Sequence, residues 1–130
     1  MTRTNKIACA ASLAAVFALG TSAAVRASYF GGHKMYLTFS GTVSLPGAEL
    51  SAGTYIFETP DPDAPTLVRV MSRDYRKLYL MAFTLPVSRP QGMDPNRPIA
   101  FGESEPGTPP RVRAWYPEGD SMGREFIYKK

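Results

Sequence analysis

The sequence predicts an all-β protein, a single small antiparallel sandwich or barrel of about seven strands. Three observations predict it. The twelve prolines all follow residue 45, and proline ends helices and is confined in sheets to strand starts, edges and turns. The pieces between the prolines have the length of strands and are rich in aromatic and β-branched residues. In the first piece, apolar and polar side chains alternate with the period of two that is typical of a half-buried strand.

The candidate strands follow one another along the chain. The first is "MYLTFSGTV", where apolar Met35, Leu37 and Phe39 alternate with polar or amphipathic neighbours. Six further candidates come after it: "TYIFE", "TLVRVMS", "KLYLMAFTL", "IAFGE", "RVRAWYP" and "REFIYKK". Their spacing, with turn residues between them, suits a small antiparallel fold.

The stretch "LPGAELSAGTY" (residues 45–55) is predicted to be a turn that leads into a strand. Pro46 and Gly47 favour a tight turn, because glycine accepts a positive φ. The Leu50 side chain can then fold back into the core, and Gly53 lets the backbone enter the next strand. A phosphate-binding loop would have its glycines at the start of a helix, often with a lysine. Here no lysine is near and a strand follows.

Residues 66–85 allow two interpretations. Apolar side chains recur there at helical spacing, at Leu67, Val70, Met71, Tyr75, Leu78, Met81 and Leu85. We prefer two strands joined at "SRDYRK", because Ser72, Arg73 and Asp74 suit a turn and "LYLMAF" is apolar on both faces. A helix over these residues is the alternative.

Residues 1–27 are predicted to be a secretory signal peptide. Two basic residues form its positive start, an apolar run from Ile7 to Leu19 follows, and Val25-Arg26-Ala27 offers a small-residue cleavage site. Cleavage after Ala24 is a second option. The apolar run is shorter than the roughly 20 residues of a membrane span, so we expect no stable membrane span after cleavage.

The mature chain is then one domain, residues 28–130, with a secreted or periplasmic location. Cys9 is the only cysteine and lies too early in the chain for a lipidated residue, so the mature domain has neither thiol nor disulfide. The whole chain has 15 basic and 11 acidic residues, and the two numbers become nearly equal once the leader is removed. A nucleic-acid surface needs a clustered basic excess, so no nucleic-acid partner is expected.

Three segments carry a resemblance to a family: "LPGAELSAGTYIFE", "LVRVMS" and "AFGESEPGTPPRVRAWYPEGDSMGREFIY". They resemble an uncharacterised family of small secreted bacterial proteins with a leader, an "LPAGTY"-like turn, a run of strands and a closing "AW-Y-P-G…G-EF-Y" segment. The resemblance covers most of the mature chain and implies the fold and export, without a catalytic signature. Relatives often have histidine before the closing "EF". This chain has Arg124 there, so no role of that histidine is carried over.

The residue types that catalysis and metal binding require are scarce. His33 is the only histidine, whereas a catalytic triad or a zinc site needs several side chains placed together. Asp61 and Asp63 in "PDPDAP" could offer oxygens to calcium, although a polar turn is the preferred interpretation. We predict no catalytic residue, no metal site and no cofactor, and the protein is predicted not to be an enzyme.

The segment "RVRAWYPEGD" contains the candidate ligand-binding residues. In a regular strand Arg111, Arg113 and Trp115 share one face, because side chains alternate between the two faces. Arginine beside tryptophan can hold an anionic or aromatic ligand by hydrogen bonds and stacking. A solvated face, with arginine stems covering the indole, is the alternative.

These observations predict an exported, non-enzymatic β domain of the cell envelope or the extracellular space. It would be a structural part or a binding module with an unknown ligand, such as an envelope component or a protein partner. The alternative function is carbohydrate binding or hydrolysis by Glu103, Glu105, Trp115 and Tyr116, since paired carboxylates serve in glycosidases.

Overall fold

The structure, a computed structural model, describes the backbone of residues 25–29 and the whole of residues 34–129. These residues contain no helix, and their strands form three antiparallel sheets that do not close into a barrel. The all-β class is therefore confirmed, and the sheets resemble the sandwich more than the barrel. Within these ranges no helix has the length and apolarity that a membrane crossing needs. The predictions for residues 1–24, including Cys9, and for His33 concern residues outside the described ranges.

The described residues form eleven strands, where about seven were predicted. In chain order they are β1 (Val25–Tyr29), β2 (Lys34–Phe39), β3 (Val43–Leu45), β4 (Ala48–Leu50), β5 (Gly53–Glu58), β6 (Leu67–Ser72), β7 (Leu78–Phe83), β8 (Leu85–Ser88), β9 (Ile99–Phe101), β10 (Val112–Trp115) and β11 (Met122–Glu125). The number is larger partly because two predicted pieces are each divided between strands of different sheets. The piece 35–43 reaches from β2 into β3, and the piece 77–85 reaches from β7 into β8.

The largest sheet has five strands in the order β1-β2-β5-β6-β7. The alternation predicted for the first piece is confirmed in β2, where Met35, Leu37 and Phe39 are buried and the residues between them are half exposed. Leu37 lies opposite Tyr55 of β5, and both belong to the core.

Residues 66–85 form the antiparallel pair β6 and β7, so the strand interpretation is confirmed and the helix alternative is wrong. The turn between them is closed by Ser72, whose Oγ accepts hydrogen bonds from the backbone N–H groups of Arg76 (3.1 Å) and Lys77 (2.9 Å). Tyr75 in this turn has a φ of 63°, a conformation that a helix does not contain. Side-chain bonds to the backbone thus compete successfully with the helical pattern.

The predicted turn at Pro46 and Gly47 is also confirmed. The two residues join β3 to β4 in a two-stranded hairpin, and Gly47 has a φ of 74°. Leu50 is fully buried, as expected for a side chain that folds back into the core. The hairpin is tied to the segment before β10, because the Ser44 N–H donates to the Pro110 carbonyl at 2.8 Å.

The remaining sheet has four strands in the order β9-β10-β11-β8. The chain passes into it from the five-stranded sheet at Thr84, which is buried. Both the N–H and the hydroxyl of Thr84 donate to the Thr66 carbonyl, at 2.9 and 2.7 Å. This anchored corner lets β7 and β8, which are separated by one residue, belong to different sheets.

The core lies between the two larger sheets and includes residues of both. At its centre the Phe57 ring of β5 meets Trp115 of β10, with ring centroids 5.9 Å apart, and Phe126, at 6.5 Å. Both contacts are edge-on, which is a favoured geometry for aromatic pairs. A domain without cysteine in its described part relies on such packing for its stability.

Candidate functional site

The predicted binding face of Arg111, Arg113 and Trp115 is wrong for Trp115. Its indole has 0% exposure and lies in the core, where no ligand can stack on it. The indole N–H is buried and has no hydrogen-bond partner in the part of the chain that the structure describes.

The reason is a β-bulge in β10. Ala114 lies opposite Ala100 of β9, and Val112 lies opposite Phe101, so Arg113 between them has no partner on β9. The extra residue changes the alternation of side chains along the strand. As a result, Val112 and Trp115 both contribute to the core although they are three residues apart.

The two arginines lie apart from the indole and have contacts of their own. Arg113 is half exposed and forms a loose ion pair with Glu125 of β11, at 3.9 Å. The Arg111 guanidinium lies 5.1 Å from the ring centroid of Tyr128. Burial raises the pKa of Tyr128, whose hydroxyl donates to the carbonyls of Ser44 (3.0 Å) and Val112 (2.6 Å). Arg111 therefore covers a tyrosine that holds the β3–β4 hairpin against β10.

The residues of the alternative, hydrolytic function are dispersed. Glu103 and Glu105 are both exposed, in the loop between β9 and β10. Trp115 is in the core, and Tyr116 lines a cleft that the two glutamates do not line. The buried carboxylate of Glu58 is engaged as well, because it accepts hydrogen bonds from Arg69 Nε (2.7 Å) and the Tyr75 hydroxyl (3.2 Å).

The two aspartates considered for calcium form a local turn. The Asp61 Oδ1 accepts the backbone N–H of Asp63 at 2.9 Å, which is the pattern of an Asx turn. Among the described residues, no group of three or more acidic, histidine or cysteine side chains is placed to hold a metal ion.

A cleft of about 570 Å³ lies between the segment that precedes β9 and the turn that connects β10 to β11. Such a volume is within the range of small-molecule sites. Its lining residues are mostly polar or charged: Met35, Arg89, Pro95, Asn96, Arg97, Pro98, Tyr116, Glu118, Gly119, Asp120 and Ser121. We refer to this feature as the polar cleft.

Tyr116 is the buried aromatic residue of the polar cleft. Its hydroxyl has no hydrogen-bond partner among the described residues, although the side chain is almost fully buried. The Arg89 guanidinium lies 4.7 Å from its ring centroid, and Arg89 is held there by bonds from Nη1 to the carbonyls of Asp94 (3.1 Å) and Arg97 (2.7 Å). A cation thus lies over a buried ring in the cleft wall, and the remaining N–H donors of the Arg89 guanidinium can serve a polar ligand.

Glycine at position 123 makes this arrangement possible. The Tyr116 ring packs directly against Gly123 of β11, so closely that a Cβ at this position would overlap the ring. Any larger residue at position 123 would therefore displace Tyr116.

The other wall of the polar cleft is held by Arg124. This residue is buried and forms an ion pair with Asp120, with 2.9 Å between Nη2 and Oδ2. Its Nε also donates to the Pro65 carbonyl at 2.7 Å, and its Nη1 donates to the Met122 carbonyl at 2.8 Å. Arg124 thus connects the turn after β10 to the segment that leads into β6.

The sequence analysis missed the polar cleft except for Tyr116. The charged residues of the cleft come from two segments about twenty residues apart in the chain. None of them belongs to a motif whose residue spacing indicates a binding site. The segment "YPEGDS" was a usable signal for a turn after Tyr116, since Pro, Gly, Asp and Ser favour turns. No family model, no curated protein and no solved structure matches this chain.

Proposed function

We propose that this protein is an exported, non-enzymatic binding module of the cell envelope or the extracellular space, and that it takes a small polar ligand in the polar cleft. The observation that carries the proposal is the combination of the cleft with Arg89, whose guanidinium is held over the Tyr116 ring in the cleft wall and has further N–H donors for a ligand. Ligand sites combine a concave surface with a few polar groups that orient the ligand.

The non-enzymatic part of the proposal is supported by how the acidic groups are used. The cleft carboxylate of Asp120 is paired with Arg124, and Glu103 and Glu105 are exposed elsewhere. A glycosidase needs two carboxyl groups facing each other across the scissile bond. Among the described residues of the polar cleft, only Glu118 and Asp120 could supply this pair. Asp120 is already held by the guanidinium of Arg124.

Filling the polar cleft tests the proposal. Ser121 lines it and is exposed, so Ser121→Trp should occupy its volume without disturbing the core. We expect saturation-transfer NMR on the exported protein to detect binding from a set of amino acids, monosaccharides and dicarboxylates. Ser121→Trp should abolish that signal at unchanged melting temperature. Ser104→Trp, the same change at an exposed position outside the cleft, should leave it intact. Binding that survives Ser121→Trp would contradict the proposed site.

The position of β1 leads to a prediction about export. Residues 25, 26 and 27 pair with Phe39, Thr38 and Leu37 of β2, so cleavage after Ala27 would remove more than half of β1. Cleavage after Ala24 preserves the whole strand, and Ser22 and Ala24 satisfy the small-residue rule. We therefore expect mass spectrometry of the exported protein to find a chain that begins at Val25. Ala24→Leu should block processing, while Ala27→Leu should not. A mature chain beginning at Ser28 would contradict this prediction.

A second candidate function, a structural role through self-association, is favoured by the edge of the five-stranded sheet. β7 is the last strand of that sheet and contains neither proline nor a charged residue, the usual protections of an edge. Leu78, Met81 and Phe83 are exposed on it, Phe83 to 64%.

The pattern of hydrogen bonds suggests how a second copy would pair. The Thr84 N–H points to β6, and bonding directions alternate along an antiparallel strand, so the backbone groups of Met81 and Phe83 point outwards. Two copies of β7 can then pair antiparallel about Ala82, with Met81 opposite Phe83 of the other copy. The few apolar side chains involved bury less than the roughly 800 Å² per partner of a stable complex, so the dimer would be weak.

Sedimentation velocity over a range of concentrations tests this second candidate. Phe83→Lys places a charge at the pairing position and should keep the protein monomeric at concentrations where the wild type associates. Ile127→Lys introduces the same charge at another exposed apolar position and should leave association unchanged. A wild type that remains monomeric at millimolar concentration would exclude this candidate.

A further inference from the structure

We propose that the ligand of the polar cleft is a small zwitterion, a molecule with a carboxylate at one end and an ammonium group at the other, such as a free amino acid or a short peptide. The inference rests on the proposed function and gives its ligand a chemical class.

The first argument is the separation of charge between the two walls. The segment that precedes β9 contributes the basic side chains Arg89 and Arg97, and the turn after β10 contributes the acidic side chains Glu118 and Asp120. A ligand that lies across the cleft therefore meets positive charge at one end and negative charge at the other.

The second argument is the availability of these groups. Arg97 and Glu118 are exposed, and neither belongs to an ion pair among the described residues. Arg89 uses Nη1 for two carbonyls, and a guanidinium has five N–H donors, so further donors can reach a carboxylate. Because Asp120 is already paired with Arg124, the ammonium group is assigned to Glu118.

The third argument is the fit of the cleft itself. About 570 Å³ accommodates an amino acid or a short peptide and is too small for a folded partner. The Tyr116 ring also lines the cleft, with the Arg89 guanidinium 4.7 Å from its centroid, so a small ligand bound by Arg89 lies next to an aromatic surface.

Other ligand classes fit these charges less well. A polyanion that interacts with the arginines would be repelled by Glu118 and Asp120. A polycation would be repelled by Arg89 and Arg97. A neutral sugar would leave Arg97 and Glu118 without a charged partner, so these two charges would not contribute to the choice of ligand.

Isothermal titration of the exported protein with three probes tests the inference. The probes are L-alanyl-L-alanine, its N-acetyl derivative, which lacks the ammonium group, and its amide, which lacks the carboxylate. We expect the unmodified dipeptide to bind at least about tenfold more tightly than either derivative, since a single well-placed charge contact contributes about one such factor.

Two variants, each lacking one charge of the cleft, test which residue binds the ammonium group and which binds the carboxylate of the ligand. Glu118→Gln should weaken binding of the dipeptide and the amide and leave the N-acetyl derivative unaffected. Arg97→Gln should weaken binding of the dipeptide and the N-acetyl derivative and leave the amide unaffected. Glu49→Gln and Arg73→Gln, changes at exposed positions outside the cleft, are the matched controls and should alter none of the three affinities.

The outcomes separate the two proposals. If the N-acetyl derivative or the amide binds as tightly as the dipeptide, the zwitterion inference is wrong while a ligand site in the cleft stands. If none of the three probes binds, the zwitterion inference is wrong. If, in addition, Ser121→Trp leaves the NMR binding signals of the broader ligand set unchanged, the proposed ligand site is wrong as well. Tight binding of the dipeptide that neither Glu118→Gln nor Arg97→Gln weakens would place the site elsewhere and overturn the inference.

Discussion

Replacing Trp115 with alanine should lower the free energy of unfolding by about 3–5 kcal/mol, the range for removing a large aromatic side chain from a core. The indole is fully buried between the two larger sheets and contacts Phe57 edge-on. Its removal leaves a cavity that the sheets can close only in part, because the strands around it are held by hydrogen bonds. Urea denaturation followed by circular dichroism measures the difference.

Trp115→Phe is the matched control for this variant. Phenylalanine keeps most of the apolar contact and removes an indole N–H that has no partner among the described residues, so we expect a cost of only about 1–2 kcal/mol. Because Trp115 is the only tryptophan, the emission of the native protein should also be blue-shifted and unaffected by ligands that do not change the core. A red-shifted emission together with a small cost of Trp115→Ala would show that the indole is exposed.

Replacing Arg124 with methionine should lower the free energy of unfolding by about 3 kcal/mol or more, because removing one member of a buried ion pair is strongly destabilising. The variant leaves the Asp120 carboxylate without its guanidinium and the Pro65 carbonyl without its donor. Methionine has a similar length and keeps the apolar stem, so the loss reflects the charged group. The polar cleft should lose its shape at the same time, since Asp120 lines it.

Arg113→Met is the control, since Arg113 lies on the neighbouring strand and also pairs with an acid. Its ion pair with Glu125 is 3.9 Å long, and both side chains are more than one third exposed, so solvent screens the pair and we expect a cost below about 1 kcal/mol. Chemical denaturation of both variants gives the comparison. Equal costs for Arg124→Met and Arg113→Met would contradict the structural role of Arg124.

Arg124 also shows how little a resemblance predicts at a single position. The resemblance inferred from the sequence led us to expect histidine there, which suggested only that a histidine function is missing. In the structure the position is buried beside an acid and a carbonyl, and arginine satisfies both because its planar guanidinium has several fixed donors. This environment comes from residues 65 and 120, which no local pattern around position 124 reveals.

The sequence by itself determined the features that depend on neighbouring residues. Proline distribution left residues 66–85 as the longest proline-free stretch of the predicted mature chain, the alternation from Met35 to Phe39 identified a half-buried strand, and Pro46-Gly47 identified a tight turn. The turn at Ser72 was predicted for the same reason, since its hydrogen bonds connect residues at most five apart. Such features are determined by backbone sterics and local hydrogen bonds, which the identity of a few successive residues specifies.

Only the tertiary structure decided which way Trp115 points and where a ligand can bind. The bulge at Arg113 arises from the register between β9 and β10, and one unpaired residue is enough to change the face of every side chain after it. The polar cleft requires Arg89, Tyr116 and Asp120 to be brought together by the packing of β8, β10 and β11. The register of distant strands and the meeting of separate loops depend on the burial of the whole core, so no short stretch of this sequence contains that information.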